Sequence, residues 1–227
     1  MALKQWIRDT FGGYRVRRVK SIRTQLSCKF DIGPWRRPGL DGIDVRLAEI
    51  FGFSREGTFI ELGGNDGLQY SNTLLLEREL GWRGVLIEGV PELAAEALRN
   101  RPKAIVVCAA VTAETDFGIV AMNDLDLVST ISGAPGRVCV ATTTLSTVID
   151  NVMNGSAPDF LIIDVEGFEM DVFAGLDLTR HKPRWMLVET KNEETITSLL
   201  HPKGYELIEK LSHHDYLYRL GNYDLTP

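Results

Sequence analysis

Three cysteines, Cys28, Cys108 and Cys139, are all the thiols in a chain of 227 residues, and none sits two residues from another. An odd number at such distances excludes a disulfide framework and a Cys-x-x-Cys zinc clip, and it suits a reducing compartment. Long hydrophobic runs are also missing. No stretch approaches the roughly 20 apolar residues that a membrane-spanning helix needs, and the N-terminus has no apolar centre of a secretory signal. The expected location is therefore the cytoplasm. Internal repeats and low-complexity segments are absent as well, so solenoids and disordered arrays are excluded.

What the chain does have is 44% hydrophobic residues, enough to bury one enzyme-sized core. Its charge is lopsided. Residues 1–40 carry ten basic and two acidic side chains, a balance of +8, whereas the net charge of −6 leaves −14 for the rest. Trp6, Ile7, Phe11, Tyr14 and Val16 interleave with the basic residues, so the arm reads as a helix packed on the domain, or as a contact for an anionic membrane surface or anionic substrate. Nucleic acid is disfavoured, because the acidic body repels a phosphate backbone. The expected division is a basic extension over residues 1–43 and an enzymatic domain over 44–227.

Alternation of short β-rich runs with amphipathic segments predicts a doubly wound α/β fold. A lead-in helix is expected over 44–53, with Asp44 as its cap. Strands are expected over 58–62, 85–88, 104–111, 160–164 and 185–189, with helices over 71–80, 91–100, 167–175 and 193–200. Residues 205–210 and 216–220 read as an antiparallel pair closing one edge, which completes a mostly parallel seven-stranded sheet. The long connection 116–137, with Asn123, Asp124, Asp126, Ser129, Thr130 and Ser132, reads either as a substrate-recognition segment or as a surface loop.

Ligands of open α/β sheets sit beyond the carboxyl ends of the strands. The first strand ends in Glu61-Leu62-Gly63-Gly64-Asn65-Asp66-Gly67, a turn whose glycines allow close backbone approach to an adenosyl group. Glu61 stands before the first glycine, where it opposes a pyrophosphate and favours a cation, so S-adenosylmethionine fits better than NAD. Glu88 ends the second strand 27 residues later, the place of a ribose-binding carboxylate. Ala109 could border the adenine, and Ser71 and Asn72 read as helix caps. Near the end of the fourth strand, Asp164, Glu166 and Glu169 crowd together, and Asp164 is expected to orient the cofactor, hold a cation or accept a proton. Glu169 and Glu166 also suit a first helical turn.

The blocks Phe59–Gly67, Gly81–Glu88 and Asp164-Val165-Glu166-Gly167-Phe168-Glu169, with Thr144-Leu145, Trp185–Glu189 and Gly204–Leu207, resemble the FkbM family of S-adenosylmethionine-dependent methyltransferases over about residues 55–220. Two departures stand out: the family's usual Asp at the first strand end is Glu61, and a Pro expected soon after the ribose carboxylate is displaced to Pro91. The resemblance implies a Rossmann-like class I methyltransferase fold, with Glu61, Gly63, Gly64, Asn65, Gly67, Glu88, Ala109 and Asp164 at the cofactor. It implies O-methylation of a sugar, glycan, glycolipid or natural-product hydroxyl. The proton would be handled by Asp164, Glu166, Glu189 or His214, with His213 a weaker candidate, and Asp164 and Glu189 could hold a magnesium ion. Histidines 181 and 201 invite no role. Competing readings are an NAD-dependent oxidoreductase and a catalytically inactive adenosyl-binding module.

Overall fold

Seven strands form one sheet in the spatial order Tyr205–Lys210, Asp215–Leu220, Trp185–Glu189, Phe160–Ile163, Thr58–Leu62, Arg83–Glu88, Ile105–Cys108. In this computed structural model the described residues are 22–27, 30, 32–33, 36–113, 118–123, 130–131 and 138–221. The strands of that sheet are β1 (Thr58–Leu62), β2 (Arg83–Glu88), β3 (Ile105–Cys108), β8 (Phe160–Ile163), β9 (Trp185–Glu189), β10 (Tyr205–Lys210) and β11 (Asp215–Leu220). Strands β3, β2, β1, β8 and β9 run parallel; β11 is antiparallel to β9 and to β10. This is the expected architecture, terminal antiparallel pair included.

A period of two divides the side chains of each buried strand between two cores. On one face Ile60, Leu62, Val85, Ile87, Leu161, Ile163, Met186 and Val188 meet α4 (Leu145–Val152), α5 (Glu169–Ala174) and α6 (Glu193–Leu200). On the other, Phe59, Leu86, Phe160, Ile162, Trp185 and Leu187 meet α1 (Ile43–Ile50), α2 (Leu74–Leu80) and α3 (Pro91–Asn100). Burial on both faces explains the near-continuous apolar reading of these strands. Phe51 locks the second core, stacked on Trp82 at 5.6 Å and set edge-on to Phe160 at 5.0 Å.

Four elements differ from their sequence reading. The run 104–111 is not one strand: it breaks at Ala109, and β4 (Ala110–Val111) turns away to pair with β7 (Val138–Thr143). The connection 116–137 contributes β5 (Ile119–Asn123) and β6 (Thr130–Ile131) to this second, four-stranded sheet, so it is not simply a loop. Asp116, Asp124, Asp126, Ser129 and Ser132 lie outside the described residues. Helix α4 was not expected; β-branched Thr147, Val148 and Ile149 weaken its propensity, and Thr144 starts it by accepting from the Thr147 N–H at 3.1 Å. Asp44 does not cap α1, because Gly42, at φ 78°, holds that position and Asp44 is buried inside the first turn. Its carboxyl accepts from Val45 N–H at 2.9 Å, and burial raises its pKa.

Where β1 and β2 lie side by side, a Cβ on Gly84 would stand 2.2 Å from the Phe59 carbonyl oxygen. Gly84→Ala should therefore lower the unfolding free energy by about 3 kcal/mol or more, read as a fall in the denaturant midpoint.

Candidate active site

The sheet order reverses between β1 and β8, and the crevice beyond their carboxyl ends is a cleft of about 350 Å³. It is lined by Glu61, Gly63, Gly64, Asn65, Glu88, Ala109, Asp164, Glu166 and Glu189, among others. Of the sequence-predicted site residues, Gly67 and His214 do not line it. Gly67 lies behind the turn against Ala97 and Arg101, and His214 lines an adjoining cavity of about 230 Å³ with Glu166, Glu169 and Glu189. Five carboxyl groups face the cleft, and none of its described lining residues is lysine, arginine or histidine.

The turn after β1 is tied down at every amide. Gly63 and Gly64 N–H donate to the Ile87 carbonyl at 3.0 and 3.1 Å, and Asn65 N–H donates to Glu88 Oε2 at 2.8 Å. Asp66 N–H reaches Asn65 Oδ1, Gly67 N–H reaches the Gly64 carbonyl, and Leu68 and Gln69 N–H both reach Asp66 Oδ1. An anion nest requires free N–H groups, and this turn offers none between Gly63 and Gln69. Glycine is obligatory at 63, where φ is +88° and a Cβ would fall 2.2 Å from the Asp164 carbonyl oxygen.

Glu61 is buried, and its carboxylate is occupied. Oε2 accepts from Ser71 Oγ at 3.0 Å and Thr73 Oγ1 at 2.5 Å, and Oε1 accepts from Asn72 N–H at 2.9 Å. These bonds place Glu61 in the cleft wall as the anchor of segment 71–73. Sequence reasoning missed the second layer. Arg101, fully buried, pairs with Glu77 at 3.0 Å and donates to the Gly67 carbonyl, Ser71 Oγ and Thr73 Oγ1, each at 3.1 Å. A lone arginine at a helix end carries no sequence signal for such a role. Thr73 rather than Ser71 holds the cap position of α2; Ser71 Oγ accepts from Leu74 N–H at 3.2 Å in the turn before the helix and bridges Glu61 to Arg101. Asn72 Oδ1, buried on the cleft wall, has no hydrogen-bond partner among the described residues.

Glu88 is buried with its carboxylate aimed by two amides: Oε2 receives Asn65 N–H, and Oε1 receives Val90 N–H at 2.7 Å. Across the cleft, oxygens of Asp164, Glu166 and Glu189 lie within 4.8 Å of one another. Burial, the Glu189 charge and a hydrogen bond with Glu189 push the Asp164 pKa well up. Burial also raises Glu189, with Asp215 and Glu166 adding to the rise while the bond to Asp164 and nearby His214 oppose it. Asp164 is therefore the member of this coupled carboxyl pair that ionises less readily. Glu166 enters at φ 51°, a left-handed conformation unusual for glutamate, and Glu169 turns inward to accept Gly167 N–H at 2.7 Å. His213 and His214 are exposed, their rings 6.5 Å apart.

Two measurements follow from this geometry. Arg101→Met leaves Glu77 buried without its cation and should cost roughly 3–5 kcal/mol of stability in denaturant unfolding. At Asp164, the folded chain binds more protons than the unfolded chain, so stability falls as pH rises from the ordinary aspartate range through the raised folded value. Asp164→Asn should remove that slope and raise the thermal midpoint at neutral pH by roughly 2–4 °C.

The profile described as "Methyltransferase FkbM domain" matches residues 61–219. No curated protein matches the chain by sequence. Among solved structures, the METTL16 methyltransferase domain superposes with a TM-score of 0.55 at 15% identity, covering 90% of this chain and 80% of that one, which is likeness of fold. The FkbM methyltransferase of Methylobacillus flagellatus KT gives 0.49 at 17% identity, over 74% of this chain and 44% of that one, so the present chain covers less than half its length. The human methyltransferase 10 domain containing protein gives 0.49 at 13%, over 93% and 98%. Among the described residues no helix is long and apolar enough to cross a membrane. With its profile match covering most of the chain, this protein belongs to the FkbM methyltransferase domain family.

Proposed function

We propose that the protein transfers the methyl group of S-adenosylmethionine to a hydroxyl of a sugar, glycan, glycolipid or natural-product acceptor. The observation that carries the donor is the cleft itself: five carboxyl groups surround a glycine turn whose amides are all engaged. Such a wall repels a pyrophosphate and attracts a sulfonium and an ammonium, which argues against NAD. Asn72 Oδ1, unpartnered among the described residues, suits a donor such as the ammonium, and Glu88, oriented by two amides at the end of β2, presents a carboxylate to which ribose hydroxyls can donate.

Transfer is an in-line displacement in which the sulfonium supplies the electrophile and the protein aligns donor and acceptor. One proton must leave the acceptor oxygen. Glu189, the member of the Asp164–Glu189 pair that ionises more readily, is the base, with Glu166 beside it. His214, in the adjoining cavity, lies on the solvent side, from which that proton could pass onward. The three carboxylates also suit a hard cation such as magnesium, which when bound would acidify a coordinated hydroxyl; Asp164, Glu166 and Glu189 would hold it. Full activity in chelator would dismiss that cation.

Isothermal titration tests the donor. S-adenosylhomocysteine should bind and NAD should not; binding of neither would leave the inactive-module reading, and binding of NAD alone would reverse the assignment. Glu88→Ala should weaken S-adenosylhomocysteine by roughly 1–3 kcal/mol. Because a sulfonium beside the shared carboxyl pair favours its ionised form, S-adenosylmethionine affinity should rise with pH more steeply than that of the uncharged-sulfur product, and transfer to a hydroxyl acceptor should disappear in Glu189→Gln.

A further inference from the structure

A short segment ahead of the profile match at 61–219 forms part of the cleft. Residues 36–42 end in a single 3-10 turn, Leu40–Gly42, and Leu40 lines the cleft while remaining 53% exposed. Three contacts fix this strap. Arg37 donates to both carboxylate oxygens of Glu79 on α2 at 3.3 and 3.0 Å, and Gly39 forms a parallel bridge with Tyr70. Gly39 also packs on the buried Asp44 carboxyl, so closely that a Cβ would fall 2.6 Å from it. Tyr70 lines the cleft as well, 38% exposed and at φ 61°, a left-handed conformation that an aromatic residue keeps only where its surroundings hold it.

These contacts put Leu40 and Tyr70 over one half of the cleft. Tyr70 directly precedes Ser71, Asn72 and Thr73, which bind Glu61 of β1. At the other end of the strap, the Asp41 charge adds to the rise that burial imposes on the Asp215 carboxyl, and Asp215 lies opposite Glu189 in the β11–β9 ladder. The strap therefore runs from β1 across β8 towards β9, on the side of Asp164 and Glu189, and away from Glu88 and Ala109 beyond β2 and β3. Val165 and Phe168, which follow β8, continue the apolar lining there.

We propose that Leu40 and Tyr70 form an apolar collar that sets acceptor specificity: the acceptor hydroxyl points inward to Glu189, and an apolar group beside it on the same molecule packs on the collar. Carboxylates lie within the cleft and uncovered apolar surface stands at its mouth, so the matching ligand is polar at the end that enters and apolar at the end that stays outside. A fully hydroxylated sugar would leave the collar in water. The strap is tied down without a ligand, so the collar is ready-made and covering it costs little ordering. This inference rests on the transfer reading and adds to it the residues that choose the acceptor, one of which precedes the part of the chain that the family profile matches.

Titration of the full chain, saturated with S-adenosylhomocysteine, with octyl glucoside below its micelle concentration and with glucose tests the collar. Octyl glucoside should bind roughly tenfold or more tightly than glucose. Leu40→Asp, and separately Tyr70→Asn, which keeps a residue suited to positive φ, should each cut that preference to about twofold or less, with S-adenosylhomocysteine affinity and the thermal midpoint unchanged. Should either variant fail to fold, the other reads the same collar. Leu98→Asp, on the exposed side of α3 and outside the cleft, should leave the preference intact. Equal binding of the two probes, no binding of octyl glucoside, a preference that survives both collar variants, or one that Leu98→Asp also removes would each overturn the proposal. Failure to bind S-adenosylhomocysteine would remove the transfer reading and this inference with it, whereas its binding without a probe preference removes the collar alone.

Discussion

The cleft depends on a carboxylate that is tied to its own protein. Glu61 stands one residue before the end of β1 and faces the helix α1–α3 side of the sheet, where a charge would be costly without partners. Ser71, Asn72 and Thr73 satisfy it, and Arg101 completes the arrangement from behind while pairing with Glu77. The Arg101 guanidinium lies 5.6 Å from the Phe59 ring, so the same cation closes against the strand as well as the turn. A turn built this way is pre-formed, because its amides and its neighbouring carboxylate need no ligand to be satisfied. It leaves for a ligand mainly side-chain oxygens and negative charge.

That division explains what could be read in advance. Strands β1, β2, β8 and β9 were legible because burial on both faces makes them continuous apolar runs, and Glu61, Glu88 and Asp164 were legible because carboxylates at the ends of such runs are out of pattern. Gly63 was legible as well, as the residue that a close approach demands. The supporting layer was not. Arg101, Glu77 and Thr73 come from separate helices and loops, and their meeting depends on the packing of α2 against α3 and β1, which no local spacing encodes.

Where the reading failed, tertiary context overrode a local preference. Residues 104–111 look like one strand because both halves are β-rich, yet Ala109 N–H bonds the Glu88 carbonyl and the next two residues leave for another sheet. Asp44 looks like a cap, but the close approach of Gly39, where a Cβ would fall 2.6 Å from the Asp44 carboxyl, brings it inside. Helix α4 was hidden by its β-branched residues, and its apolar face of Leu145, Val148 and Ile149 is what secures it.

The break at Ala109 has a consequence for how such a protein can change. Because β4, β7, β5 and β6 form their own sheet, insertions or deletions between 112 and 138 need not shift the register of any strand that carries Glu61, Glu88, Asp164 or Glu189. The strands that carry these carboxylates are thus insulated from the connection, while β4 keeps the annex in touch with the cleft through Ala110 and Val111. Residues 112–138 can therefore change in length while the register of the seven-stranded sheet is kept.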